Sequence, residues 1–319
     1  MLRLKTLKIK NVNLDSSILI DEVKVSYEIF GQEISKKPIV LIIHPLTGNS
    51  SVCGKDGWWK QIVKNNGSID TNKYSILAFN IPGNGYDGIL YDNYSMFNTG
   101  DIAKIFFKAL ESLGIKNLHA AIGGSIGAAI CWELAALYPN LINHLIPVAG
   151  DWKATDWMIA NSSLQSRILN NSSNPIQDAR MHAMLCYRTP KSFRIRFNRS
   201  FNKEKNIFNV ESWLFHHGQK LEDRFELKSY KMMNHLLGSI NIERYGEKIE
   251  SIILKIKSKI HIISIDSDLF FPLDEDKNTV KIAESVGVKI NHKVIKSEFG
   301  HDAFLMEFDQ MKLILKEIF

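Results

Sequence analysis

Apolar and polar positions alternate early in the chain and then give way to apolar runs. Residues 2–10 and 23–30 alternate, which predicts two half-buried strands forming an antiparallel start to a sheet. Residues 38–43 are continuously apolar, as a central parallel strand requires, and 74–80 form the next strand. Residues 99–113 carry apolar positions at helical spacing and stop at Gly114. Then come a strand at 118–122, a helix at 128–138 ending before Pro139, and a strand at 145–148. This alternation predicts a doubly wound, mostly parallel sheet flanked by helices. The pattern breaks after Gly150. From 151 to about 250 there is no good strand run, and the segment is polar, helical and rich in Asn, Met and aromatics. Its place in the order predicts a helical lid over the C-terminal edge of the sheet. A separate helical domain with no role at a site is the plainer reading. Strands resume at 259–265 and 289–295, and residues 303–319 read as a closing amphipathic helix. The expected organisation is a core in two parts, 1–150 and 251–319, with a lid inserted at 151–250.

Within that pattern, Gly123-Gly124-Ser125-Ile126-Gly127 has the form of a nucleophile elbow, with a buried strand before it and a helix after it. Such a turn strains the backbone at the serine, and a Cβ two residues to either side would clash. It lifts the Ser125 hydroxyl to the top of the sheet, at a helix N-terminus where backbone N–H groups can stabilise an oxyanion. An acid and a histidine should follow in that order. The strand at 259–265 runs into Asp266-Ser267-Asp268, and the strand at 289–295 is followed by Gly300-His301-Asp302. Serine, then acid, then histidine is the chain order of the α/β-hydrolase fold. Asp268 and Asp266 compete as the acid, and Asp268 is favoured because Asp266 continues the strand. Taken alone, Asp268 could be a loop carboxylate or a cap, and His301 a surface histidine. His44 either lines the site or shapes its own loop. His216-His217, read as the end of a helical stretch before Gly218, are surface or lid residues.

Composition narrows the picture. The chain has 319 residues, enough for one α/β domain with an insertion, and its 45% hydrophobic content is that of a globular protein. A net charge of +6 comes from scattered lysines, which argues for a solvated surface and against nucleic-acid binding. Three widely spaced cysteines, Cys53, Cys131 and Cys186, make neither a disulfide framework nor a zinc site, and fit a reducing compartment. The first residues alternate apolar and basic without a signal-peptide core, and no stretch is long enough to span a membrane. The expectation is a cytoplasmic protein with no metal and no membrane partner.

Several segments together resemble the homoserine O-acetyltransferases. His44-Pro45-Leu46-Thr47-Gly48 is similar to that family's His-Ala-Leu-Thr-Gly loop. Gly57-Trp58-Trp59, Ile69-Asp70-Thr71 with Tyr74, and the elbow also match. So do Ala179-Arg180-Met181, Tyr187-Arg188-Thr189-Pro190, Glu211-Ser212-Trp213-Leu214 and Lys228-Ser229-Tyr230. Ser267-Asp268-Leu269-Phe270 and Gly300-His301-Asp302-Ala303-Phe304-Leu305 complete the set, so the resemblance runs from about residue 38 to the end. It implies that Ser125 takes an acetyl group from acetyl-CoA and passes it to the homoserine hydroxyl, a ping-pong reaction of methionine biosynthesis. It implies His301 as general base, Asp268 as its orienter, and the N–H groups of Leu46 and Ile126 as the oxyanion hole. By family position Arg180 and Tyr187 hold the substrate carboxylate, Asp302 its ammonium, and Thr47 lines the substrate site. Acetyl-CoA would be a cosubstrate with no resident cofactor, and the molecule a homodimer through the lid.

The chain departs from the family at Pro82-Gly83-Asn84-Gly85-Tyr86-Asp87-Gly88, where a Gly-Gly-Cys loop is usual. It also has Ile126 in place of Met and Ala128 in place of Gly. These departures concern the acyl donor and acceptor rather than the triad. A serine esterase or thioesterase using the same triad with water is the alternative, as is an O-succinyltransferase of homoserine or serine. The residues Arg180, Tyr187 and Asp302 favour a transferase, because an esterase more often has an apolar pocket there.

Overall fold

The alternating N-terminal segments form a hairpin in the computed structural model, which describes residues 4–34 and 36–319. Residues 1–3, part of the first predicted strand and of the stretch read for a leader, lie outside the described residues. Strand β1 (Lys5–Asn13) pairs antiparallel with β2 (Leu19–Gly31), which in turn pairs antiparallel with β4 (Ser75–Phe79). The other strands of the main sheet are β3 (Ile39–Ile43), β5 (Leu118–Gly124), β6 (Ile142–Val148), β7 (Lys259–Ile265) and β8 (Ile290–Ile295). They make one eight-stranded sheet in the order β1-β2-β4-β3-β5-β6-β7-β8, parallel from β4 onward.

Both faces of the sheet are covered, which is why the central strand β3 is apolar at every position. Leu41 and Ile43 of β3 face one core cluster with Phe106, Ala109 and Ile130. Val40 and Ile42 face the other, with Trp59, Ile62, Met311 and Leu315. Helix α1 (Thr99–Ser112) begins at a reciprocal cap: the Asn98 side chain accepts from the Asp101 N–H, and the Asp101 carboxylate accepts from the Asn98 N–H. Helix α2 (Ile126–Leu137) starts directly after Ser125, two residues earlier than the sequence pattern suggests, because the elbow itself is its first turn.

The segment after β6 folds into α3 (Asp156–Asn171), α4 (Pro175–Tyr187), α5 (Pro190–Phe197), α6 (Asn209–Glu222) and α7 (Leu227–Gly238). It is not wholly strand-free. Phe201–Asn202 and Ile207–Phe208 form a two-stranded hairpin between α5 and α6, too short to register as alternation. Helix α6 also runs through Gly218 instead of ending there. A Cβ at Gly218 would lie 3.1 Å from Gln177, so this glycine serves close approach of α6 to α4 and not chain termination. Helix α8 (Ile249–Lys255) leads back to β7, and α9 (Leu273–Ser285) joins β7 to β8. The closing amphipathic segment is divided: a 3-10 turn over Gly300–Leu305 precedes α10 (Phe308–Leu315). The break lets residues 300–305 turn into the site while Met311 and Leu315 still reach the core. Among the described residues no helix is long and apolar enough to cross a membrane.

Candidate active site

The parallel strands end in register, and that alone brings distant residues together. Gly124 of β5 pairs with Val148 of β6, Val148 with Ile263 of β7, and Ile265 with Ile295 of β8. Ser125, Asp268 and His301 leave the C-terminal edge just beyond, where open α/β sheets place their sites.

Ser125 sits at φ 59° and ψ −125°, a left-handed conformation foreign to serine. Holding it there costs on the order of 1–3 kcal/mol, so the surroundings must over-determine it. They do: a Cβ at Gly123 would lie 2.3 Å from the Gly127 backbone, and one at Gly127 would lie 2.3 Å from the Ile43 carbonyl oxygen. The Ser125 N–H donates to the Val148 carbonyl at 2.9 Å, tying the elbow to β6.

His301 Nδ1 donates to Asp268 Oδ2 at 2.7 Å, with both side chains buried. The other carboxylate oxygen accepts from the Phe270 and Phe271 N–H groups at 2.7 and 2.9 Å. Three donors thus fix the carboxylate, the carboxylate fixes the imidazole, and Nε2 is left to accept a proton. Asp266 serves a different end. Its Oδ1 accepts from the Ser297 N–H at 2.9 Å and braces the loop after β8. Around the His301 ring stand Phe270, Tyr187, Phe304 and Phe271, with centroids 5.2 to 5.6 Å away. Phe304 is also the ring a Cβ at Gly124 would strike, at 2.6 Å, so the elbow and His301 share it as a neighbour.

The N–H groups of Leu46 and Ile126 make no hydrogen bond to the described residues. Ile126 is the first residue of α2, where the helix leaves its donors free. His44 shapes the loop that carries Leu46. It is fully buried, and the Ile81 N–H donates to its Nε2 at 3.0 Å. Nε2 therefore accepts, so Nδ1 carries the proton and donates to the Pro45 carbonyl at 2.8 Å. Burial lowers the pKa of this histidine to about 4, which keeps it neutral. The atypical 82–88 loop supports the same network: Asn84 Nδ2 lies 3.2 Å from His44 Nε2 and donates to Asn80 Oδ1 at 3.2 Å.

From the lid, α4 ends against His301. The Arg180 guanidinium lies 5.6 Å from the Tyr187 ring, as their shared helix face requires. Burial holds the Tyr187 phenol well above its ordinary pKa, so it is a neutral donor. Asp302 has a partner that sequence reasoning did not assign to the site: Arg188 Nη1 lies 3.4 Å from its carboxylate. Burial raises the Asp302 pKa while Arg180, His301 and Arg188 pull it down. The one signal for Arg188 was its place between Tyr187 and Thr189-Pro190, a helix end that turns back to the core. Thr47 meets the lid through its carbonyl, which accepts from Arg224 Nη1 at 2.9 Å. His217 packs on Trp213 and is lowered to about 4 by burial, then by Arg180 and its other cationic neighbours. Among the described residues no His, Cys, Asp and Glu group is arranged to hold a metal ion.

This arrangement can do nucleophilic acyl chemistry: a strained serine, an oriented imidazole and two free N–H groups. Comparison with known proteins agrees with that scaffold. A family model described as the alpha/beta hydrolase fold matches residues 38–180. The chain is 28% identical to the homoserine O-acetyltransferase of Nautilia profundicola, over 97% of this chain and 96% of the relative. The crystal structure of homoserine O-acetyltransferase from Bacillus anthracis superposes with a TM-score of 0.89 at 17% identity, covering 99% of this chain and 96% of that one. That of esterase E22 superposes with a TM-score of 0.87 at 17% identity, covering 99% of both chains.

Proposed function

Because this chain has the α/β-hydrolase fold and is a relative of the homoserine O-acetyltransferases along nearly its whole length, we propose that it is an acyltransferase acting on a hydroxy amino acid. The reaction is acetyl transfer from acetyl-CoA to the homoserine hydroxyl through an acyl-Ser125. Ser125 Oγ attacks the thioester carbonyl and His301 Nε2 takes its proton. The oxyanion is held by the Leu46 and Ile126 N–H groups. As the tetrahedral intermediate collapses, the C–S bond breaks and His301 returns the proton to the leaving thiolate. The homoserine hydroxyl then attacks the ester, gives its proton to His301, and Ser125 leaves with that proton. Asp268 holds the imidazole in the required tautomer throughout.

One observation carries the acceptor assignment: Arg180, Arg188 and Asp302 gather charge of both signs around the neutral Tyr187 phenol, which packs on His301. A carboxylate needs a guanidinium fork and an ammonium needs a carboxylate, and a zwitterionic amino acid brings both. A plain ester substrate would need neither. The test is release of free thiol from acetyl-CoA with a panel of hydroxy amino acids. The proposal expects release to depend on homoserine. Release at the same rate without any amino acid would put the esterase or thioesterase reading ahead.

A further inference from the structure

The turn that carries Leu46 is held from two sides, and one of them is the lid. Pro45, Leu46, Thr47 and Gly48 form a β-turn closed by the Gly48 N–H, which donates to the Pro45 carbonyl at 2.8 Å. The carbonyl of one residue and the N–H of the next lie in one rigid plane. The plane that bears the Leu46 N–H is therefore the plane of the Pro45 carbonyl, and two donors aim that carbonyl. From the core side, His44 Nδ1 donates to it at 2.8 Å. The second donor is the Gly48 N–H, whose own plane bears the Thr47 carbonyl. The Thr47 carbonyl in turn accepts from Arg224 Nη1 at 2.9 Å. Two peptide planes and three hydrogen bonds thus connect the lid and the core to the direction of one N–H group.

Arg224 lies in the loop between α6 and α7. Its own N–H donates to the Leu221 carbonyl at 3.1 Å, and the next residue, Phe225, is buried and packs on Tyr230 with centroids 6.0 Å apart. The backbone there is anchored although Arg224 is exposed. Among the described residues Arg224 forms no ion pair with a carboxylate. Desolvation, and then the charge of Arg180, lower its pKa. No acidic partner draws the guanidinium to this place, and its hydrogen bond goes to the turn. A charged donor makes a stronger bond to a carbonyl than a neutral one does.

We propose that Arg224 is a positioning residue for acyl transfer: through the Thr47 carbonyl it holds the 45–48 turn so that the Leu46 N–H points at the oxyanion. The lid then completes the oxyanion hole and serves both half-reactions, in addition to choosing the acceptor. This rests on the reading of Ser125 and Leu46 as acyl-transfer machinery, and it is independent of which donor and acceptor the protein uses.

The probe is p-nitrophenyl acetate, which has neither the charges of an amino acid nor the nucleotide of acetyl-CoA. Pre-steady-state release of p-nitrophenolate reads the acylation of Ser125. Removing an oxyanion donor outright costs about 10²–10³ in rate, and misaiming one should cost less. Arg224→Ala should slow the burst about tenfold to a hundredfold. Burst amplitude, half-saturation by the ester and the denaturant midpoint should stay nearly unchanged, because an exposed hydrogen bond adds little to stability. Arg224→Lys keeps a charged donor and should recover part of the rate, whereas Arg224→Gln is too short and should not. Lys228→Ala removes a neighbouring contact of lid and core, the ion pair with Asp92, and should leave the burst at the wild-type rate. An unchanged burst in Arg224→Ala overturns the proposal, and a raised KM for homoserine beside it would give Arg224 to the acceptor's carboxylate. A burst equally slow in Lys228→Ala also overturns it, since any loosening of the lid would then suffice. If the alanine variant folds poorly, the lysine and glutamine variants carry the test, and equal rates in the two count against the proposal. Wild-type protein that gives the ester burst but no homoserine-dependent thiol release would sink the transferase reading and leave the Arg224 result standing.

Discussion

At the scale of single residues, the two aspartates after β7 show how two residues of one type, two positions apart, divide their work. Asp268 turns inward and accepts from His301 and two backbone N–H groups, whereas Asp266 turns outward and caps the loop after β8. Asp268→Asn presents the imidazole with an amide and destabilises the tautomer that accepts the serine proton. It should lower kcat by roughly 10⁴ with little effect on folding. Asp266→Asn should cost far less in kcat, because only a loop contact is weakened. Steady-state kinetics of the two variants check the assignment, and the reverse ranking would move the acid to Asp266. The choice between them was legible in the sequence only as depth in the loop. Arg188 was not legible, since nothing in a sequence says that an arginine at a helix end will be buried against Asp302.

Among the elements, the parallel strands also gather a feature at their opposite, N-terminal ends. His119 of β5, His144 of β6 and His261 of β7 stand in a row. The Asn291 amide donates to His261 Nδ1 at 3.2 Å, so His261 Nε2 carries the proton and donates to His144 Nδ1 at 3.1 Å. Tyr74 and Phe319 cover His119, and Lys259 adds positive charge near the other two. Burial pushes all three downward, and for His144 and His261 the adjacent histidine and then Lys259 push further, His261 to about 4. The folded row therefore binds fewer protons than the unfolded chain once pH drops below about 6.5. The stability is complete above that pH and is lost as pH falls toward 4. Thermal unfolding followed from pH 7.5 to 4.5 should show Tm falling over that window, and His261→Gln should flatten the fall. A variant with the same pH slope as the wild type would remove the row from the account. The strands that hold this row were readable from their apolar runs. Its histidines were not, because their partners come from register between strands far apart in the chain.

For the whole molecule, the site depends on a lid held to the core at several points. Arg244, just after α7, donates to Glu133 of α2 at 2.7 Å and to Thr99 of α1 at 3.0 Å, all on the buried side. Arg244→Ala would strand a buried carboxylate, which costs about 3–5 kcal/mol. Denaturant unfolding should show a loss of that size, and a loss under about 1 kcal/mol would mean that the clamp does not hold the lid. The sheet order, the elbow and the inserted helices could be read from hydrophobic patterning because each is dictated locally. The short lid hairpin, the unbroken α6 and the divided closing helix could not, because tertiary contacts override local pattern there. The central claim is that Ser125 carries the acyl group between donor and acceptor, and it can be measured directly. Protein incubated with acetyl-CoA and no acceptor, then digested and weighed, should carry one acetyl group on the peptide containing Ser125. Adding homoserine should discharge it. Acetyl on a cysteine peptide, or homoserine transfer persisting in Ser125→Ala at near wild-type rate, would contradict the account.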